Sequence, residues 1–143
     1  MTEDNKRLSY LIDIYKLYQV HVNTMFNYFM VLCGLIINAY IQSMQNPQLR
    51  SVVAPFISGF GAFIAVVSLL IYLRSRQMLD TIEARMSKEE IVLFGEGEGF
   101  LNARSMKPRW FLRHWHQFIA IYTSFILAFL SMCVYAIVSS GVV

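Results

Sequence analysis

Residues 18–42 read YQVHVNTMFNYFMVLCGLIINAYIQ, a stretch without a single Asp, Glu, Lys or Arg. About 20 mostly apolar residues cross the hydrocarbon core of a bilayer as a helix. A transmembrane helix is therefore expected over roughly 20–43. The segment is oddly polar for that role, because it holds Asn23, Asn27 and Asn38. An amide moved out of water without a hydrogen-bond partner costs about 2–7 kcal/mol, so these three residues need a reason.

Asn23, Asn27, Val31, Gly34, Asn38 and Gln42 are separated by three or four positions each, the spacing of neighbours on one helix face. Such a line suits three roles. It can hydrogen-bond between copies in an oligomer, at about 1 kcal/mol per bond. It can line a wet path whose less polar middle, Val31 and Gly34, gates by dewetting. It can also bond within the chain to Ser and Thr on neighbouring helices.

Two further uncharged apolar runs follow, over 52–73 and 116–138. With 57% hydrophobic residues and a mean hydropathy of +0.49, little chain remains for a separate soluble domain. The expectation is an all-α integral membrane protein, a single domain over 1–143 with three transmembrane helices. Helices 1 and 2 extend into the cytoplasm as a helical hairpin, the extension comprising 5–19 and 74–115.

Charge placement gives the orientation. Lys6, Arg7 and Lys16 precede the first span, and Arg74, Arg76, Arg85, Lys88, Arg104, Lys107, Arg109 and Arg113 lie between the second and third. Only Arg50 sits in the short loop between spans one and two, and the tail is uncharged. The positive-inside rule then predicts a cytoplasmic N-terminus, a cytoplasmic long loop and an external C-terminus. No cleavable signal peptide is expected, since a charged N-terminus without an apolar core opens the chain. Cys33 and Cys133 fall at different depths and read as small buried side chains rather than a disulfide.

The extension follows from the sequence around the spans. Leu8, Leu11, Ile12, Tyr15 and Tyr18 make one apolar helix face, and no Gly or Pro separates them from the first span. Beyond Leu73 the helical pattern continues into RSRQMLDTIEARMSKEEIVLF, with Leu79, Ile82 and Met86 in an apolar line and Arg76 to Asp80 and Arg85 to Glu89 as i,i+4 pairs. The two apolar lines can cover one another. Gln45-Asn46-Pro47-Gln48 predicts a turn, and Gly95-Glu96-Gly97-Glu98-Gly99 a helix break that two carboxylates disqualify as a phosphate loop. Pro108 can begin the third helix, with Trp110, Phe111 and Trp115 as an interfacial belt. Ser58, Gly61, Ala62, Ala65 and Ser68 in the second span, and Ser124, Ala128 and Ser131 in the third, have the spacing of close-packed membrane helices.

Two other groups invite a ligand. Arg74, Arg76, Arg104, Lys107, Arg109 and Arg113 cluster near the inner boundary, where they can attract anionic lipid or bind an anionic ligand such as a nucleotide or oligonucleotide. His21, His114 and His116 suggest haem, but side chains two apart on a helix point to nearly opposite sides. No cofactor and no metal is expected. Without a Ser/His/Asp set, a carboxylate pair or a cysteine motif, an enzyme is not expected either.

The run SLLIYLRSRQMLDTIEARMSKEE, preceded by YLIDIYKLYQ and the Asn-bearing span, resembles a group of small bacterial three-span inner-membrane proteins. In those proteins the second helix passes into an Arg-x-Arg and a glutamate-bearing cytoplasmic stretch, matched here by Arg74, Arg76, Leu79 and Glu83. Some are effectors of anti-phage defence systems, the Hailong-type membrane effector among them. The resemblance implies a bacterial inner-membrane pore former that answers a nucleotide signal or a cytoplasmic partner protein. Taken together, the expected function is a homo-oligomeric, signal-gated channel or pore-forming effector. The alternatives are an accessory subunit of a larger membrane complex and, because the uncharged tail is expected outside, less readily a holin-like protein.

Overall fold

The computed structural model describes residues 3–95 and 108–139, and side chains within 6–95 and 116–139. The described elements are four helices: α1 (Glu3–Gln45), α2 (Pro47–Arg50), α3 (Val53–Phe94) and α4 (Pro108–Ser139). Their ends follow from local chemistry. α1 stops before Asn46-Pro47 because a residue preceding proline avoids the helical region. Asn46 is extended, at φ −102° and ψ 113°, and its side chain accepts from the Gln48 N–H at 3.1 Å. That bond caps α2, which Pro47 opens. α3 ends at Gly95, whose φ of +86° is the left-handed conformation that closes helices and that glycine adopts without strain.

Three helices are long and apolar enough to cross a membrane, those of Lys6–Gln45, Val53–Phe94 and His116–Ser139. At most 28% of any apolar window is buried against the rest of the chain. Rows such as Phe56, Phe63 and Leu70 on α3, and Leu127, Leu130 and Val134 on α4, are exposed. Apolar surface of that extent fits a lipid environment.

The chain divides into two compact units, one of residues 1–24 with 72–116 and the other of 25–71 with 117–143. In the second, α1 and α4 run parallel and α3 antiparallel to both. Phe26 meets Phe118 edge to face at 4.9 Å, and Phe29 meets Tyr122 at 4.6 Å and Phe125 at 5.5 Å. Farther along, the Tyr40 hydroxyl donates to the Met132 carbonyl at 3.0 Å. Tyr40, Ala54 and Ala136 form a buried cluster with Met44, Ile57 and Met132 around it. Cys133 donates to the Pro55 carbonyl at 3.6 Å, and both cysteines are free thiols.

The small row of α3 is a packing surface. Ser58, Ala62 and Ala65 are buried, and a Cβ added at Gly61 would meet the Phe129 ring at 2.8 Å. Ser58 donates to the Ala54 carbonyl at 2.9 Å, so its hydroxyl is satisfied without reaching another helix. The expectation for the small row of α4 is corrected. Ser124, Ala128 and Ser131 are exposed, whereas Tyr122, Phe129 and Ala136 are buried. The reason is complementarity of size: where α3 presents Gly and Ala, α4 must present large rings to fill the space.

In the first unit the N-terminal part of α1 meets the C-terminal part of α3. The Tyr15 hydroxyl donates to Glu83 Oε1 at 2.9 Å across 68 residues of sequence. Leu79, Met86 and Glu90 are buried, and Leu8, Leu11, Ile12 and Tyr18 are half-buried. Of the two expected i,i+4 pairs one forms, with Arg76 Nη2 2.9 Å from Asp80 Oδ1, and among the described residues no ion pair joins Arg85 to Glu89.

Candidate functional site

Within the second unit, α1 buries Phe29, Cys33, Ile36, Tyr40 and Ser43. At about 100° per residue, that inward face is centred nearly opposite the line of Asn27, Val31, Gly34, Asn38 and Gln42. All five of those residues are exposed. A Cβ on Gly34 would meet nothing within 4 Å. The Gln42 side-chain N–H donates to Asn38 Oδ1 at 3.5 Å, a bond along the line itself. Asn23 belongs to the other unit and is exposed there. The reading in which these amides bond to Ser and Thr of the second and third spans is therefore corrected. Aromatic and small apolar contacts fill the space among the helices and leave no place for amides, while the serines bond to their own backbone: Ser43 to Ala39, Ser58 to Ala54 and Ser131 to Leu127.

A feature the sequence did not announce lies beside the far end of this line. Tyr40, Ile41, Met44 and Gln45 of α1 and Ser131, Met132 and Tyr135 of α4 bound an open groove of about 510 Å³. One turn past Tyr135, Ser139 accepts from Arg50 Nε at 3.2 Å, which ties the end of α2 to the end of α4. Tyr40, bonded to the Met132 carbonyl, is part of its wall, and no local sequence signal marks a long-range bond of that kind.

Of the six basic residues expected near the inner boundary, side chains are described for Arg74 and Arg76. Arg74 is exposed, while the Arg76 side chain is 16% exposed and engaged by Asp80, as two positions separated by about 200° of helix require. Arg104 and Lys107 lie outside the described residues, and only the helical backbone is described for Arg109 and Arg113. The belt residues Trp110, Phe111 and Trp115, and His114, likewise have undescribed side chains. His21 and His116 are exposed. Among the described residues no three His, Cys, Asp or Glu side chains gather as metal ligands would.

Chemically, the line offers amide donors and acceptors on an otherwise apolar surface, with a glycine at its middle that permits close approach. No family model, no curated protein and no solved structure matches this chain.

Proposed function

We propose that the protein is a homo-oligomeric channel or pore-forming effector of the bacterial inner membrane, possessing no catalytic activity of its own. One observation carries the reading: the amide line of α1 lies opposite that helix's packing face and is uncovered in the single chain. In lipid each such amide costs free energy until a second protein surface or water meets it. Assembly of copies around α1 supplies both, with the amides at subunit boundaries or on a wet axis. The unit of 1–24 with 72–116 is then the cytoplasmic helical hairpin, placed there by the basic residues it carries. A nucleotide or oligonucleotide signal, or a protein partner, acts on its basic surface, and α1 reaches from there to the amide line as a single helix. Defence against phage by membrane permeabilisation is the biological role this reading suggests.

The test is reconstitution of the full chain. Particle mass in nanodiscs should correspond to several copies, and liposomes should leak ions in the activated state. Asn27→Leu and Asn38→Leu should alter leakage at least tenfold, whereas Tyr28→Leu, exposed but off the line, should not. A stoichiometric foreign partner on purification would favour the accessory-subunit reading instead. A single copy per nanodisc together with silent bilayers overturns the proposal.

A further inference from the structure

Two exposed faces of the same three-helix unit are complementary in depth, size and hydrogen bonding. Depth is fixed by the contacts between α1 and α4: Phe26 with Phe118 and Tyr122, Phe29 with Tyr122 and Phe125, Tyr40 with the Met132 carbonyl. On those pairings Gly34 is level with Ala128, and Asn38 is level with Ser131. Copies related by an axis along the membrane normal present residues to one another at equal depth. A glycine then faces an alanine, which lets two helices approach closely, and an asparagine faces a serine.

The polar groups match as donor to acceptor. Asn38 Oδ1 accepts from Gln42 at 3.5 Å, and the N–H groups of this exposed residue remain as donors. Ser131 already donates to the Leu127 carbonyl at 2.8 Å, which leaves its oxygen lone pairs outward as acceptors. Ser131 also forms the rim of the open groove, and Tyr135 stands beside it.

We propose that the partner of the amide line is the α4 face of a second copy of this chain. Asn38 and Gln42 of one copy enter the groove at Ser131 and Tyr135 of the next, and Gly34 lies against Ala128. The inference rests on the assembly reading above and specifies its contact. It also explains why Ser124, Ala128 and Ser131, spaced as a packing row, are not used inside the chain.

The experiment co-expresses two differently tagged full-length chains lacking the native thiols, through Cys33→Ala and Cys133→Ala. One carries Asn38→Cys and the other Ser131→Cys. Oxidation in the membrane should join the two tags in most of the protein, far exceeding the yield from two Asn38→Cys chains. In parallel, with native thiols kept, Gly34→Leu and Ala128→Leu should each dissolve the assembly in nanodiscs. Neither meets a packed neighbour in the single chain, since Gly34 has open space around it and Ala128 is exposed. If an assembly persists in both leucine variants, or Asn38→Cys chains crosslink only with one another, this contact is refuted while the assembly reading survives. If the groove instead retains co-purified lipid and Ala128→Leu changes nothing, lipid is the occupant and the inference fails. A single copy per nanodisc overturns the assembly reading and this contact together.

Discussion

Gly61 offers the sharpest test of the packing on which the outward position of the amide line depends. A Cβ at this position would lie 2.8 and 2.9 Å from Phe129 Cδ1 and Cε1, and 3.0 Å from Ile36 Cγ2. Carbon atoms pack best at about 3.5–4.0 Å, so the methyl overlaps two neighbours at once. Neither can swing aside, since Phe129 is 1% exposed and Ile36 is 7% exposed. Overpacking of this kind costs about 1–3 kcal/mol. Replacing a mid-helix glycine by alanine independently stabilises by about 0.8–1.0 kcal/mol, which would blur a single measurement. Gly59, two residues away on the same helix, has nothing within 4 Å of its added Cβ and therefore reports the helix term alone. Gly61→Ala should be less stable than Gly59→Ala by about 1–3 kcal/mol. The assay is maleimide labelling of buried Cys33 in mixed micelles of increasing denaturing detergent, in a Cys133→Ala background. Labelling that follows opening should be about 5- to 150-fold faster in Gly61→Ala than in Gly59→Ala. Phe129→Leu, which withdraws the ring edge, should bring the two closer together. Equal labelling of the two alanine variants would refute the packing of α3 against α4, and with it the inward direction of Phe29 to Tyr40.

Two smaller perturbations test other contacts. Tyr15→Phe removes the donor to Glu83 and should weaken the unit of 1–24 with 72–116 by about 1 kcal/mol. Hydrogen exchange over residues 8–18 and 76–90 should then accelerate several-fold, with 25–40 unchanged; uniform acceleration would contradict the division into units. Tyr40→Phe leaves the Met132 carbonyl without its extra donor and should cost about 0.5–1.5 kcal/mol in the same Cys33 labelling assay. A loss much larger than that would mean the ring packing, rather than the hydroxyl, had changed.

The sequence was most informative where structure is set by neighbouring residues. Pro47 after Asn46 ends α1, Gly95 ends α3 and Pro108 begins α4, each through backbone chemistry confined to a few positions. The lengths of the apolar runs likewise gave three helices able to cross a membrane. Direction was less legible. In water an amphipathic helix turns its apolar face inward, but in lipid both faces are apolar, and periodicity then identifies a line without saying which way it points. The amide line and the small row of α4 show this ambiguity in opposite senses. Both could have been interior. α3 had already taken the small-residue role, with Gly61 against the Phe129 ring of α4, and so the row of α4 lies outside. Arg74 and Arg76 show the same ambiguity of direction. Arg74 and Arg76 are adjacent in composition but separated around the helix, and Asp80 claims one of them.

The position of the amides bears on why they are present at all. A polar side chain retained to hold one chain together should lie on the face that meets the other helices, where its bond replaces water. Asn27 and Asn38 lie on the other side, and each would stabilise the lone chain in lipid if it were leucine. Their free-energy cost is therefore offset only in a state that includes another surface or water. Such a state is specific, because amides placed at fixed heights reward one register and penalise its neighbours, as a single buried asparagine does in a coiled coil. In the proposed assembly Gly34 between them would set the distance of approach, and the groove beside Ser131 would give the register somewhere to lock. A helix that needed only to anchor the protein would have neither feature. On the proposed reading, α1 presents a surface whose stability depends on assembly, which is the physical requirement for a membrane protein that acts by coming together.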